Sequence, residues 1–433
     1  MLIQPMPLAA TAAALRRGEF DLIAYYDDLL NRLETVDHDI QAFVPHPQRR
    51  EQVMQAAQAL QNQYPDPADR PPLYGIPLGV KDIYRVDGWH TTGGSALPPE
   101  ALAGPEASCV SIFKQNGAIV LGKTVTTEFA YFEPGPTRNP HHLEHTPGGS
   151  SSGSAAAVAA GLCALSIGTQ TVGSVIRPAA FCGVVGYKPS YGRIDPTGVI
   201  YFSQSLDHVG LFTQDVAGMK IAASHLCRDW QRMNSTVGEL PVLGVPDGPF
   251  LDQASSEALR AFDMQINRLT TAGYTVRRAS VLDDIAEIGH RHRELMAFEM
   301  AQNHADWFAE FEERYRPRTV EIIRQGQQVK WVAVRAAIAG QETARRELET
   351  AMADTGIDIW ISPAAPGPAP TGIASTGDPA MNLPWTHTGL PTVTIPAGKS
   401  ANGLPLGLQC ASAFWNDEAL LDWCTGLYRA LND

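Results

Sequence analysis

The segment from Pro147 to Ile176 carries no charged side chain, and it constrains the fold more than any other part of the chain. A membrane span needs about 20 mostly apolar residues, whereas this segment is full of Gly, Ser, Thr and Gln. It reads as a buried polar loop system, whose backbone and hydroxyl groups must find partners inside the protein. A core large enough to enclose it is available. Of the 433 residues, 44% are apolar and 18% charged, which fits a globular protein and excludes a disordered or collagen-like chain.

Apolar spacing of three and four residues predicts helices near Leu8–Arg17, Leu22–Leu33 and Val53–Gln63. Strands and helices then alternate: strand Ile76–Val80, helix Ala107–Gln115, strand Ile119–Leu121, helix Gly153–Ala160, strand Leu162–Ile167. Such alternation predicts an α/β sheet with helices on its faces. The region 283–354 is charged and helical, and reads as a cap-like insertion. Strands return at Ile357–Ile361, Thr392–Ile395 and Leu406–Cys410, after the Pro/Gly-rich loop Pro363–Pro379, and a helix Asp417–Leu431 closes the chain. With no tandem repeat and no clear linker, residues 1–433 read as one domain although the length allows three.

The net charge of −13 argues against a general phosphate-neutralising surface for nucleic acid or an anionic membrane. The six cysteines, Cys109, Cys163, Cys182, Cys227, Cys410 and Cys424, are scattered without a C-x-x-C, so reduced core thiols are expected. Met1–Phe20 has prolines early and Arg16-Arg17 late, the reverse of a secretory signal, and a cytoplasmic location is expected. Asn234-Ser235-Thr236 matches a glycosylation acceptor that has no meaning in that compartment.

Several short motifs compete. His141 to His145 satisfies H-x-x-E-H, a zinc hydrolase pattern, but Pro140 and Pro147 leave no room for the long helix that would aim both histidines. Gly149 to Gly153 satisfies G-x-S-x-G with Ser151 as an elbow nucleophile, yet the Pro-rich approach is not the strand an elbow follows. Ser154 stands where a phosphate loop needs lysine. Ser111 to Lys114 fits S-x-x-K inside an ordinary amphipathic helix. Lys81 before Asp82, taken alone, reads as a surface ion pair, and the serine run as a flexible linker.

Taken together, a larger constellation survives: Gly79-Val80-Lys81-Asp82, then Thr146 to Ala157 with its run Gly148-Gly149-Ser150-Ser151-Ser152-Gly153, then Gly168-Thr169-Gln170-Thr171-Val172-Gly173-Ser174, then Arg177-Pro178-Ala179. A helix of about nine residues and a strand of about six separate Ser150 from Ser174. Chain running out along the one and back along the other brings both serines to one sheet edge, the carboxyl edge where open α/β sheets keep their sites. Lys81 ends a strand and can reach the same edge. A helix beginning near Gly153 adds a favourable dipole there.

This constellation resembles the amidase signature family of serine hydrolases, from about Leu15 through Val216 and again over Ser362–Leu421. The resemblance implies a single domain with a central mixed sheet flanked by helices on both faces. It also implies hydrolysis of a carboxylic amide through a seryl acyl-enzyme, extending to carbamates or esters. Ser174 would be the nucleophile, Ser150 the relay beside a cis Gly149–Ser150 peptide, and Lys81 the base, neutral because it is buried. The backbone N–H groups of Thr171, Val172, Gly173 and Ser174 would form the oxyanion hole. Tyr131, Phe132, Gly149, Phe181 and Trp385 are candidates for the substrate pocket.

The sequence departs from the family pattern at three points. Gln170 replaces the more usual Asp, Val172 replaces a common Gly, and Arg177 stands three residues after the nucleophile, with Ile176 in the arginine's usual place. No metal or organic cofactor is implied. The expected partner is a small-molecule amide, with no nucleic acid, no membrane, and a homodimer as an open assembly. Two alternatives stand beside the free amidase. One is the glutaminase (A) subunit of a tRNA-dependent amidotransferase, against which the acidic balance and short length weigh; the other is the zinc-dependent hydrolase.

Overall fold

The computed structural model describes residues 1–231 and 240–432, so the Asn234–Thr236 motif lies outside the described residues. Ten strands form one mixed sheet: β1 Pro77–Lys81, β2 Ile119–Thr124, β3 Leu165–Gln170, β4 Val185–Lys188, β5 His208–Thr213, β6 Leu243–Asp247, β7 Val276–Ser280, β8 Ile359–Pro363, β9 Thr392–Lys399 and β10 Pro405–Ala411. Their spatial order is β2-β1-β3-β5-β4-β9-β10-β8-β6-β7. Parallel pairing joins β2, β1 and β3 at one end and β8, β6 and β7 at the other. The middle strands β5, β4, β9 and β10 pair antiparallel. The sheet is an α/β scaffold, as the alternation of elements predicts.

Strands β1 and β3 are buried along their whole length, as expected where helices cover both faces of parallel strands. Register pairs Leu78 with Leu165, Gly79 with Ser166 and Val80 with Ile167. Glycine at 79 is required by this approach, because a Cβ there would stand 2.8 Å from Ser166 Oγ. Since β1 and β3 run the same way, their carboxyl ends, Lys81 and Gln170, emerge at the same edge.

After the first helix, Leu8–Arg17, the helix Leu22–Ile40 buries Leu22, Tyr26, Leu29, Leu30, Leu33, Val36 and Ile40, a stripe at three- and four-residue spacing, and Asp21 caps its start through Ala24 N. Helices also occupy Ile285–Asn303, Ala305–Phe311, Pro317–Gly326 and Trp331–Thr355. The sequence-based strand Leu162–Ile167 is displaced to Leu165–Gln170. Gly161 turns the chain at φ 64°, and the strand runs on through Gly168–Gln170 because those residues pair with Gly210–His208 of β5. No helix among the described residues is long and apolar enough to cross a membrane.

Candidate active site

Lys81 is fully buried at the end of β1. Its Nζ donates to Ser150 Oγ at 2.7 Å and to Thr169 Oγ1 at 2.8 Å. Burial lowers its pKa to about 7, and the carboxylate of Asp207 acts in the opposite direction. At neutral pH a large fraction of the amine is therefore unprotonated and able to take a proton. The neighbouring Asp82 does not pair with Lys81: its ion partner is the buried Lys123, at 2.9 Å. Sequence proximity thus misleads: Lys81 is the last residue of β1, and Asp82 begins the turn that follows it. Another buried lysine, Lys188, is also brought to about 7 by burial. Its Nζ donates to the carbonyls of Leu390 at 2.5 Å and Pro189 at 3.3 Å, acceptors with no proton to give up, so a lowered pKa alone does not mark a site.

The serine run is a tightly bonded turn into the helix Ser152–Ala159. The Gly149–Ser150 peptide is cis. Ser151 Oγ bonds both the carbonyl and the N–H of Thr169, at 3.2 and 3.3 Å, which ties it to β3. Ser152 Oγ donates to Gly148 O at 2.7 Å, and Ser154 Oγ to Ile167 O at 3.0 Å. Of the four hydroxyls, that of Ser150 is the one held by a lysine. A small cavity of about 10 Å³ is lined by Ser150, Thr171, Val172, Gly173 and Ser174 together, so the two serine loops meet at one edge.

The loop after β3 is fixed from behind. Gln170 Oε1 accepts the N–H groups of Val175 and Ile176 at 2.8 and 3.0 Å, capping the helix Ile176–Cys182, while its Nε2 donates to Thr386 Oγ1 at 2.9 Å. Thr386 in turn donates to Val172 O at 2.6 Å, and Gly173 O accepts from Arg177 N at 3.1 Å. In a planar trans peptide the N–H points opposite its carbonyl, so these bonds aim the N–H groups of Gly173 and Ser174 away from the scaffold. Glycine at 173 is dictated by crowding: a Cβ would lie 2.4 Å from Asn382 Oδ1. The amide side chain of Gln170 accepts the two N–H bonds of this helix start as a carboxylate could, and adds the donated bond to Thr386.

Asp207, at the end of a loop before β5, accepts from Thr171 Oγ1 at 2.5 Å and from the N–H groups of Phe202 and Ser203. Burial pushes its pKa up to about 6, against the lowering effect of those bonds and of Lys81. Thr169 stands inside the motif that ends at Ser174 without a role assigned to it and Asp207 has no local motif, and only the folded sheet reveals that both act on the lysine.

A larger cleft of about 560 Å³ adjoins the small cavity and shares Tyr131, Phe132, Val172 and Pro379 with it. Tyr131 and Phe132 stack edge to face, 5.0 Å between ring centroids. Val172, where glycine is common, stands at the seam between the two spaces. Gly149 lies under Thr376, whose Cγ2 would be 2.6 Å from an added Cβ. Phe181 belongs to a small apolar cluster with Ala365, Ala369 and Leu404, and Trp385 packs at 5.7 Å against Phe250. Neither of those two is among the residues lining the cleft or the small cavity.

The H-x-x-E-H segment is a loop. His141 Nε2 lies 2.9 Å from Cys182 O and His145 Nδ1 lies 2.7 Å from Ala369 O, so each ring has a nitrogen engaged by a carbonyl. In the S-x-x-K segment, Ser111 and Lys114 both bond to Glu106. All six cysteines are buried and unpaired.

Comparison with known proteins agrees with this layout. The amidase family model matches residues 25–421. The chain is 29% identical to the glutamyl-tRNA(Gln) amidotransferase A subunit of Koribacter versatilis over 489 aligned residues, 100% of this chain and 99% of that protein. It is 30% identical to the corresponding protein of a Synechococcus species over 478 residues, 96% and 95% of the two chains. A crystal structure of an amidase superposes with a TM-score of 0.89 at 30% identity, covering 99% of this chain and 100% of that one. A match over nearly the whole length, carried by a shared α/β sheet, makes this chain a member of the amidase family.

Proposed function

We propose that the chain hydrolyses a carboxylic amide through an acyl-enzyme on Ser174, with Ser150 as relay and Lys81 as base. One observation carries the reading: a buried lysine, neutral in part at pH 7, hydrogen-bonded to Ser150 at 2.7 Å in a cavity that Ser174 also lines. Lys81 takes the Ser150 proton, Ser150 takes that of Ser174, and Ser174 Oγ attacks the amide carbonyl. The N–H groups from Thr171 to Ser174 receive the developing oxyanion. Collapse of the tetrahedral intermediate breaks the C–N bond as the proton returns through Ser150 to the leaving nitrogen. Water, deprotonated by the same relay, then releases the acid from Ser174. The same steps apply to carbamates and esters, which differ in the leaving group and in the substituent on the carbonyl.

The second reading, a glutaminase component of a tRNA-dependent amidotransferase, is supported by the names of the curated relatives, which this chain matches end to end. On that reading the scissile amide is that of glutamine and a partner protein is required. Ammonia release from glutamine and from simple primary amides, measured on the isolated chain, tests both. Turnover of simple amides by the chain alone supports the hydrolase. Turnover of glutamine alone, and only with added partner proteins, supports the amidotransferase, and absence of both overturns the proposal.

A further inference from the structure

Arg177 is one of the largest fully buried side chains in the protein. Its Nη2 donates to Gly149 O at 2.7 Å and Thr376 Oγ1 at 3.1 Å, both uncharged acceptors. Nε and Nη1 have no acceptor among the described residues. Burial lowers its pKa to about 10, offset in part by the more distant Asp378, so the guanidinium stays charged at neutral pH. A buried charge without an ionic partner costs several kcal/mol in a folded protein. Among the described residues, the buried Lys123 pairs with Asp82 and Arg193 with Asp417 and Glu418, whereas Lys81 and Lys188, which like Arg177 have no ionic partner, are brought by burial to about 7 and can shed the charge. Arg177 lines the same small cavity as Ser150 and Ser174, one helical turn beyond Ser174.

We infer that Arg177 is a seat for a carboxylate of the substrate, and that the amide cleaved at Ser174 belongs to a short dicarboxylic acid monoamide. The inference rests on the amide hydrolase reading and gives its substrate class. A carboxylate supplies the ionic acceptor that Arg177 lacks, and a guanidinium is the cation best suited to hold one. The acyl part must be short. Ser150, Ser174 and Arg177 line one small cavity, and the carbonyl on Ser174 and the carboxylate on Arg177 must both be reached within it. The larger cleft, beyond Tyr131, Phe132 and Val172, is left for the departing amine or ammonia.

The test follows ammonia release from the monoamides of malonic, succinic and glutaric acids, from the matching diamides, and from glutamine. A charge-assisted hydrogen bond gives a discrimination of about 10- to 100-fold, so at least one short monoamide should exceed its diamide in kcat/KM by that factor. In Arg177→Gln the ratio should fall to about one. Because Arg177 also holds Gly149, that variant could lose all turnover, and a second measurement uses the unaltered protein. Malonate or succinate should slow fluorophosphonate labelling of Ser174, and the neutral diamides should not. Equal turnover of monoamides and diamides, with equal protection, overturns the carboxylate seat while leaving the hydrolase intact. Glutamine preferred over every short monoamide overturns it also. No labelling of Ser174 and no amide cleaved overturns both.

Discussion

The pH dependence of turnover can be worked from the surroundings of Lys81. A lysine at its ordinary pKa of about 10.4 is neutral in roughly one molecule in 2,500 at pH 7. With burial bringing Lys81 to about 7, about half the molecules hold a neutral amine at that pH. The gain in available base is about 10³-fold. Turnover needs the neutral form, so kcat/KM rises with pH, roughly tenfold per pH unit below 7, and levels off by about pH 8. The assay is initial-rate ammonia release between pH 5 and 10 in buffers of constant ionic strength. Lys81→Arg keeps the charge and the donors, but guanidinium does not give up a proton in this range, so turnover falls by about 10³ or more and the rising limb disappears. A limb that climbs on to pH 10 would mean that Lys81 is not perturbed. Near-normal turnover in Lys81→Arg would show that the lysine only braces Ser150 and Thr169.

Three further outcomes are expected. Lys81→Met should be inactive yet more stable at pH 6–7, because the folded state holds the amine at a depressed pKa. It therefore binds fewer protons than the unfolded chain between about pH 7 and 10, which leaves at and below pH 7 a penalty of about 4 kcal/mol, reduced by about 2 for the two lost hydrogen bonds. Thermal denaturation should show the gain at pH 6–7 and its decline as the pH approaches 10. Gln170→Leu leaves the N–H groups of Val175 and Ile176 without their acceptor, at about 1–3 kcal/mol each; a lowered denaturation midpoint together with reduced kcat checks this, and an unchanged kcat would free the loop from dependence on Gln170. His141→Ala and His145→Ala should leave turnover within a few fold, and chelators should have no effect. A loss restored by added zinc would contradict that.

Much of the site was legible because its geometry is local. Ser150 and Ser174 are joined by one helix and one strand, and a hairpin-like return of that kind can be inferred from element lengths. The amphipathic helices Leu8–Arg17 and Leu22–Ile40 announce themselves through a one-sided apolar stripe. Strands β4 to β7 and the helix Ile176–Cys182 have no such mark. Ile176–Cys182 is buried on every side and thus has no polar face to set a period, and β7 is a short edge strand with Arg277 and Arg278 exposed. The partners of Lys81 and Arg177 also lay beyond reach. Thr169, Asp207 and Thr376 arrive from separate segments: the order of strands β1, β3 and β5 brings the first two to Lys81, and Thr376 reaches Arg177 from the loop that follows β8. The pairing of Asp82 with Lys123 is decided in the same way, by the register of β1 against β2.

The central claim is that Ser174 is the nucleophile, and covalent labelling tests it most directly. The intact protein is treated with a fluorophosphonate, digested, and the modified residue located by mass spectrometry, with Ser174→Ala and Ser151→Ala treated in parallel. The account predicts one label, on Ser174, lost in Ser174→Ala and retained in Ser151→Ala, whose hydroxyl is already tied to Thr169. Reproducible labelling of Ser151, with Ser174 unmodified, would contradict it.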